Sequence, residues 1–207
     1  MRIDCYVSTL LRLPERQRIA RDVLAALSKE SLRITVLDAG SPPDELRWLQ
    51  DRFPVVQQPR DGSLHRRYLL AELLATTDYY LLCDDDCLPK TEYWLPRALA
   101  LMRDRPLFGQ IALRMEHCDW ARDSQFADGE VVSVTVCGGM RLIRRGVRTA
   151  PFHVPLVWHP LDNDDWDWCQ AMRASGVGVG SFEKIYCTHV GRDCSNLVQR
   201  DPRYESD

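Results

Sequence analysis

The sequence lacks any long apolar run. No window reaches the roughly 18 apolar residues that a membrane-spanning helix needs. The first residues, MRIDCYVSTLLRLPERQ, also lack the basic segment followed by a long apolar one that marks a secretory signal. We therefore expect a cytoplasmic protein without a transmembrane segment.

A paired-cysteine motif is also lacking. The chain has eight cysteines but no CxxC pair, the spacing typical of many zinc sites and redox motifs. Most lie in apolar or strand-like segments, among them Cys5, Cys83, Cys137 and Cys187. In a chain of this size without an export signal, we expect buried free thiols rather than a disulfide framework or a zinc site.

The chain carries no strong excess of either charge. Its net charge of −3 argues against a strongly basic nucleic-acid-binding protein. Arginines are nevertheless clustered at Arg66–Arg67 and between Arg141 and Arg148. Such clusters indicate either a solvated face or a site for an anionic ligand, such as a diphosphate or a polyanionic acceptor.

The composition is that of one globular domain. A chain of 207 residues with 45% hydrophobic residues can bury one core but not two large ones. In the first half, β-type runs alternate with amphipathic stretches, and this order predicts a parallel sheet with helices on both faces. Strands are predicted at Arg2–Val7, Leu32–Leu37, Pro54–Gln57 and Asp78–Cys83, and helices over Glu15–Ser28, from Pro42–Pro43 and over Ser63–Ala75.

The second half is less regular. Strands are predicted at Leu107–Met115, Val131–Val136, Met140–Arg144, Val177–Val179 and Lys184–Cys187, with a helix over Asp164–Gly176. In the helix predicted from Ser63, that serine is the expected N-cap, and Leu70, Leu73 and Leu74 form the expected apolar side. We predict one mixed α/β domain over residues 1–195 and a polar C-terminal tail over residues 196–207.

Three consecutive acids, Asp84, Asp85 and Asp86, directly follow the apolar strand that ends at Cys83. In open α/β sheets, ligands collect at the carboxyl ends of strands. Adjacent carboxylates repel one another and need a cation, a base or water. Their hard oxygen ligands suit Mg²⁺ or Mn²⁺, although an exposed acidic turn also accounts for them.

A second acidic cluster, DNDDWDW, begins at Asp162. At a helix start, carboxylates are favoured by the helix dipole and by capping, which explains one or two of them. The pattern does not explain all four acids or the interleaved Trp166 and Trp168. These tryptophans indicate either core packing or a platform for a sugar face.

Two further segments are candidates for a functional role because each stands at the end of a predicted strand. Asp38 ends a predicted strand and is followed by Gly40 and Ser41, a pattern typical of a tight turn that presents a carboxylate to a ribose or base. His189 follows the last predicted strand. Alone, each segment also fits a purely structural role.

Taken together and in order, these segments resemble glycosyltransferase family 2 and related GT-A enzymes, from about Ile3 to Gly191. Thr77–Pro89 is similar to the family's G-D-Y-I-L-F-L-D-D-D-x-x-P element, in strand, acids and proline. The resemblance implies that Asp84 and Asp85 contact the nucleotide-sugar and that Asp86 binds the metal.

The donor side of the resemblance includes two earlier turns. Val7–Arg12 resembles the family's first strand and turn, in which only Thr9 and the closing arginine match. Val36–Glu45 resembles the V-D-D-G-S turn, so Asp38 and Ser41 are expected to lie against the nucleoside.

A helix start and a glycine-containing strand also match. Gly62–Arg67 resembles the G-x-x-x-A-R-N helix start, which puts Arg67 on the family's arginine, although the following asparagine is Tyr68 here. Cys137–Arg145 resembles the G-x-N-x-x-F-R-R strand beside the acceptor, including Gly138 and Gly139.

The last two matches concern catalysis. Asp162–Gly176 resembles G-E-D-x-D-L-x-x-R-L-R-x-A-G, which puts Asp164 on the glutamate and Asp165 on the catalytic aspartate; Trp166 follows on the acceptor side. His189 begins a segment that resembles the H-x-G element, which often supplies a further metal contact.

The resemblance implies a GT-A, Rossmann-like domain that transfers a sugar, with a hexosyltransferase-like activity. The donor would be a nucleoside-diphosphate sugar, UDP-linked by preference, with Mn²⁺ or Mg²⁺ bound by Asp86 and His189 against the leaving diphosphate. Asp165 would take the proton of a hydroxyl acceptor (glycan, small molecule, protein or nucleic acid), which inverts the anomeric centre.

Three alternative functions are also consistent with parts of the sequence. A nucleotidyltransferase can share the sheet and the acidic metal site, but it should carry a glycine-rich basic loop, and Ser8–Pro14 contains no glycine. A relative that binds a nucleotide-sugar without turning it over would not need acids at both clusters. A transferase acting on modified nucleic acid is favoured only by the arginines between Arg141 and Arg148, and its binding should fall steeply with salt.

Overall fold

The computed structural model describes residues 2–11, 13–58, 65–116, 122–152 and 164–190, and the side chains of residues 122–125 are not part of that description. Several predicted features lie outside the described residues. They are the tail over residues 196–207, the cap at Ser63, and the motif positions Arg12, Gly62, Asp162 and Gly191.

Ten strands and five helices occur among the described residues. The strands are β1 (Ile3–Thr9), β2 (Leu32–Asp38), β3 (Val55–Gln57), β4 (Tyr79–Asp84), β5 (Cys87–Pro89), β6 (Phe108–Met115), β7 (Arg122–Ala127), β8 (Val131–Val134), β9 (Met140–Arg144) and β10 (Gly178–His189). The helices are α1 (Pro14–Leu27), α2 (Pro43–Gln50), α3 (His65–Leu74), α4 (Trp94–Arg103) and α5 (Asp164–Ala174).

The described strands form one mixed sheet in the order β3-β2-β1-β4-β9-β6-β10-β8-β7, with β5 paired to β10. Strands β1 to β4 are parallel, and β9 runs antiparallel between β4 and β6. Strand β10 is parallel to β6 and antiparallel to β8. The predicted mixed, mostly parallel α/β sheet is confirmed.

Helices cover both faces of the sheet, because alternate residues of each strand face opposite sides. Cys5 and Val7 of β1 pack in a core with α1, α2 and α4, whereas the intervening Tyr6 packs in a second core with α3 and α5. Pro14 and Pro43 stand in the first turns of α1 and α2, where the missing N–H is not needed. The prediction of helices on both faces is therefore confirmed.

The apolar side predicted for α3 is wrong at Leu73 and Leu74, whereas Leu70 packs against the second core. Leu73 is 80% exposed and Leu74 is 38% exposed, whereas the buried positions include Arg67 and Tyr68. Leucine spacing is misleading here because the inner side of α3 faces the acidic clusters. The inward side combines the ion pairs of Arg67 with the apolar packing of Tyr68 and Ala71 in the second core.

Four other elements differ from the predictions. The two short strands predicted around Val177–Val179 and Lys184–Cys187 are one strand, β10, which pairs with β5, β6 and β8. Strands β5 and β7 and helix α4 were not predicted. Helix α4 begins directly after Tyr93, whose positive φ of 49° makes the turn into the helix.

All six cysteines in the described segments are buried and free, including the four named above: Cys5, Cys83, Cys87, Cys137, Cys169 and Cys187. Among the described helices, none combines the length and apolarity needed to cross a membrane. The cytoplasmic location stays a prediction.

Candidate active site

Most of the predicted site residues meet at one edge of the sheet. This edge contains the carboxyl ends of β1, β4 and β10 and the first turns of α1, α3 and α5, which is where open α/β sheets bind ligands. The predicted residues that hydrogen-bond, ion-pair or pack against one another there are Thr9, Arg67, Asp84, Asp85, Asp86, Gly138, Gly139, Asp164, Asp165 and His189.

Asp86 and His189 are paired, as a shared metal site requires. The His189 Nε2 atom lies 3.0 Å from Asp86 Oδ2, and the Val190 N–H donates to the Asp86 carbonyl at 2.8 Å. This contact with Asp86 raises the pKa of His189. The pKa of Asp86 is lowered although burial opposes the shift, because His189 and Arg16 both contact its carboxylate.

Asp85 is held between a hydroxyl and an arginine. Thr9 Oγ1 donates to Asp85 Oδ2 at 2.7 Å, and Arg16 forms ion pairs with both Asp85 and Asp86. Thr9 therefore supports an acid in this structure. Burial raises the pKa of Asp85 to about 6, even though Arg16 opposes the shift. Sequence reasoning missed Arg16, because only the packing of α1 beside β4 brings it to the acids.

Arg67 joins the two acidic clusters. Its guanidinium forms ion pairs with Asp84, with Asp164 Oδ2 at 2.7 Å and with Asp165 Oδ1 at 3.0 Å. Arg67 is only 5% exposed, so it is nearly removed from water. Burial raises the pKa of Asp84 to about 7, and the other carboxylates nearby add to this effect because they disfavour a further negative charge. Arg67 opposes the shift without cancelling it.

Arg141 is the second arginine that bridges the clusters. It is fully buried and bonds Asp165 Oδ1 at 2.8 Å, Asp84 Oδ1 at 3.2 Å and the Gly139 carbonyl at 3.2 Å. Burial lowers the pKa of Arg141. Arg141 is therefore a buried cation that balances acids. It belongs neither to a solvated face nor to an anion site, the two roles that the sequence indicated for this segment.

The other arginines of that segment point elsewhere. Arg144 donates to the Tyr79 hydroxyl at 2.9 Å, and Arg148 donates to Glu72 Oε2 at 2.6 Å. Arg144 and Arg145 line one pocket together with Asp78 and Tyr79, whereas Arg141 is buried at the acids, so the four arginines of the cluster do not share one surface.

Tyr68 stands where the family has asparagine, and sequence reasoning gave it no role. Its hydroxyl donates to Asp165 Oδ1 at 2.5 Å, and its ring stacks on Trp168 with centroids 4.6 Å apart. Trp168 is fully buried and donates its Nε1–H to Gln110 Oε1 at 2.8 Å, so it is a core residue. Trp166, by contrast, is 44% exposed in the first turn of α5.

Two glycines allow β9 to start against the acids. A Cβ on Gly138 would overlap Asp165 Oδ2 and lie 2.9 Å from Asp165 Cγ. Gly139 has a φ of +71°, and a side chain there would strike Met115. Glycine fits Gly138 because the backbone passes directly beside Asp165, and it fits Gly139 because of the positive φ.

Asp38 and Ser41 lie in the turn after β2. The Asp38 carboxylate accepts the N–H groups of Gly40 and Ser41, both at 3.1 Å, and the Ser41 hydroxyl at 2.5 Å. Asp38 is fully buried, so in this structure it shapes the turn. Contact with a nucleoside stays a prediction for both residues.

The acids outnumber the cations around them. Five carboxylates face three guanidiniums, which leaves an excess of two negative charges when all five carboxylates are ionised and His189 is neutral; the carboxylates are Asp84, Asp85, Asp86, Asp164 and Asp165, and the arginines are Arg16, Arg67 and Arg141. The ligand atoms of Asp86, His189 and Cys87 lie within 4.8 Å of one another. One divalent cation fits both the donor set and the charge.

No protein-family model matches the sequence, and no curated protein is significantly similar to it. Solved structures match its fold. PcManGT, a mannosyltransferase from Pyrobaculum calidifontis in complex with GDP-Man and Mn²⁺, has a TM-score of 0.66 at 16% identity, over 90% of this chain and 56% of that one. The S. aureus TarS 1-349 structure with UDP-GlcNAc gives 0.65 at 14% identity, over 91% and 58%. GalNAc-T7 with UDP, GalNAc and Mn²⁺ gives 0.64 at 12% identity, over 90% and 43%.

The chain therefore spans 43% to 58% of the length of these three structures. At such low identity the likeness concerns the fold, and it covers nearly the whole chain. The domain described here has the GT-A fold, which it shares with these glycosyltransferases.

Proposed function

We propose that the chain is a metal-dependent, inverting glycosyltransferase that moves a sugar from a nucleoside-diphosphate sugar to a hydroxyl acceptor. The observation that carries this proposal is the meeting of two acidic clusters at the ligand-binding edge of a GT-A sheet. The cluster after β4 has the negative charge that a divalent cation needs. The cluster at the start of α5 contains Asp165, one oxygen of which can accept a proton.

On the donor side, Asp86 and His189 hold the cation, Mn²⁺ or Mg²⁺. When bound there, the cation neutralises the charge that develops on the leaving diphosphate. Two of the similar structures contain Mn²⁺, and the three contain GDP-Man, UDP-GlcNAc or UDP, which supports a nucleotide-sugar donor. The proposed donor-side residues are Thr9, Asp38, Ser41, Arg67, Asp84 and Asp85, with a UDP-sugar as the preferred donor.

On the acceptor side, Asp165 is the general base. Its Oδ1 is fixed by Arg67, Arg141 and Tyr68, whereas within the described segments no hydrogen bond reaches its Oδ2. Oδ2 is therefore the oxygen that takes the acceptor's proton as the new bond to the sugar forms. Three donors on the other oxygen prevent the carboxylate from rotating away.

Further residues shape the acceptor side. Gly138 keeps the space beside Asp165 free of a side chain, and Gly139 follows it with a positive φ, which glycine adopts readily. Asp164 holds Arg67 against the base, and the exposed ring of Trp166 in the same turn offers a flat apolar surface for a sugar face. Sugar rings pack against such aromatic surfaces through their C–H groups.

Calorimetry with UDP and Mn²⁺ tests the donor side. Asp86→Asn should lose Mn²⁺-dependent UDP binding, because it removes one ligand charge from a two-ligand site. Asp128→Asn is the matched control, since Asp128 pairs with Arg105 in a surface turn. Unchanged UDP affinity in Asp86→Asn contradicts the metal assignment.

The acceptor side needs a turnover measurement. Asp165→Asn should bind UDP and Mn²⁺ nearly as well as the wild type, while transfer or donor hydrolysis falls roughly 10²-fold or more. Asp164→Asn should be milder, because Asp164 acts through Arg67. A near wild-type rate in Asp165→Asn, or a product that retains the donor's anomeric configuration, contradicts the mechanism.

A further inference from the structure

Arg16, in the first turn of α1, lies against the acids of the candidate metal site, where a metal cation would bind. Its two terminal nitrogens form ion pairs with Asp85 Oδ1 and Asp86 Oδ2. Asp86 Oδ2 is also the oxygen that faces His189 Nε2 at 3.0 Å. One carboxylate oxygen therefore serves both the arginine and the histidine, at the place where a divalent ion would need it.

The three arginines of the site are not equivalent. Arg67 and Arg141 each bond acids from both clusters, so both link the end of β4 to the start of α5. Arg16 contacts acids of the first cluster alone. Its side chain is 15% exposed, compared with 6% and 0% for the other two, which places it at the mouth of the site.

We propose that Arg16 is the resident counter-cation of this metal site, that a divalent ion displaces it from Asp86, and that the released guanidinium then binds the donor's diphosphate. This inference rests on the proposed function. A metal ion and a guanidinium that share one carboxylate oxygen repel each other, so each weakens the binding of the other to Asp86 Oδ2.

The chemistry of the Arg16 side chain fits the proposed binding of the donor's diphosphate. A guanidinium presents paired N–H donors that match the oxygens of a phosphate, and it stays charged at every working pH. The long side chain begins on a helix that flanks the site, so its charged end can move while its Cα stays fixed. A diphosphate that enters with the metal supplies the negative charge that Arg16 loses at Asp86.

This exchange couples metal binding to nucleotide binding. Without nucleotide, Mn²⁺ competes with Arg16 and binds weakly. With UDP present, the displaced arginine gains a new partner, so each ligand strengthens the binding of the other by the same factor.

The test compares Arg16→Met with the wild type. Binding of Mn²⁺ alone, followed by the electron paramagnetic resonance signal of free Mn²⁺, should become at least about tenfold tighter, because the competing charge is gone. At saturating Mn²⁺, UDP binding should weaken by about tenfold, because a charged phosphate partner is lost. The increase in Mn²⁺ affinity that UDP produces should therefore be smaller in Arg16→Met than in the wild type.

Arg21→Met is the matched control. Arg21 lies on the same helix, pairs with Glu45 and stacks over Trp48, and its loss changes the net charge by the same unit. It should leave both affinities near the wild-type values. Arg16→Lys, which keeps the charge but not the paired donors, provides a second variant if Arg16→Met does not fold, and it should bind UDP more weakly than the wild type.

The outcomes separate the two proposals. If wild-type Mn²⁺ and UDP binding depend on Asp86 but Arg16→Met changes neither affinity, or changes them no more than Arg21→Met, the role of Arg16 is overturned and the proposed function stands. If the wild type binds neither Mn²⁺ nor UDP, both proposals are overturned.

Discussion

Gly138 is the position where one added methyl group should most disturb the candidate site. A Cβ there would overlap Asp165 Oδ2 and lie 2.9 Å from Asp165 Cγ, where carbon atoms in contact need about 3.5 Å. Asp165 cannot retreat freely, because Arg67, Arg141 and Tyr68 hold its other oxygen. The Gly138→Ala variant must therefore either break some of these bonds or move the backbone before β9.

The size of the effect follows from those bonds. Each hydrogen bond to a charged group contributes about 1.5–3 kcal/mol, so losing one or two should lower the free energy of unfolding by about 2–4 kcal/mol. A displacement of about 1 Å at a reacting group costs roughly 10²-fold in rate. Mn²⁺ binding at Asp86 and His189 should change much less than transfer, because Gly138 contacts neither residue directly.

Urea unfolding measures the stability change, and transfer or donor hydrolysis measures the rate. Gly146→Ala is the control, because no atom lies near enough to meet its Cβ and only its φ of +73° is unfavourable. It should lose about 1 kcal/mol of stability and keep its rate. If Gly138→Ala transfers sugar at the wild-type rate, Asp165 is not the base in the position described.

Three further predictions concern residues around the site and the fold. Tyr68→Phe should keep the stack on Trp168 but lower transfer about tenfold in a kinetic assay, because Asp165 loses one donor; an unchanged rate contradicts this role. Asp4→Asn should cost about 2–3 kcal/mol in urea unfolding at pH 7, because the carboxylate accepts the Thr76 N–H and other donors. The pKa of Asp4 lies below its usual 3.8 despite burial, so its contribution is present above about pH 4 and is lost as the pH falls through the lowered value, and the gap between variant and wild type should narrow there. Thiol titration of the native protein should find at least six masked cysteines that react after unfolding, and rapid reaction of more than two of the eight thiols in the native state contradicts the burial of the six in the described segments: Cys5, Cys83, Cys87, Cys137, Cys169 and Cys187.

The parallel half of the fold could be predicted from the sequence because local pattern and tertiary role agree there. β1, β2 and β4 are apolar runs, β1 and β2 are each followed by a helix pattern, and the acids after β4 fall at the carboxyl edge that the topology makes the binding edge. The ends of these strands differed from the predictions by no more than two residues.

The rest depended on contacts that no local pattern contains. Tyr68 and Arg16 belong to the site only because α3 and α1 begin at this edge of the sheet, and leucine spacing in α3 indicated the wrong side because the buried residues are His65, Arg67, Tyr68 and Ala71. The pattern of β10 predicts two strands because Gly178 and Gly180 weaken it, whereas pairing with β6 and β8 makes it one strand, with register shifts against β6.

The position of β10 has a consequence for how the protein is made. It lies between β6 and β8, so the sheet is completed by a strand that leaves the ribosome after all its partners. At about 5–20 residues per second, β6 and β8 wait several seconds with open edges, which is the state in which chains pair wrongly and aggregate. Successful production should therefore depend on growth temperature and on chaperones that shield strand edges until residues 178–189 arrive.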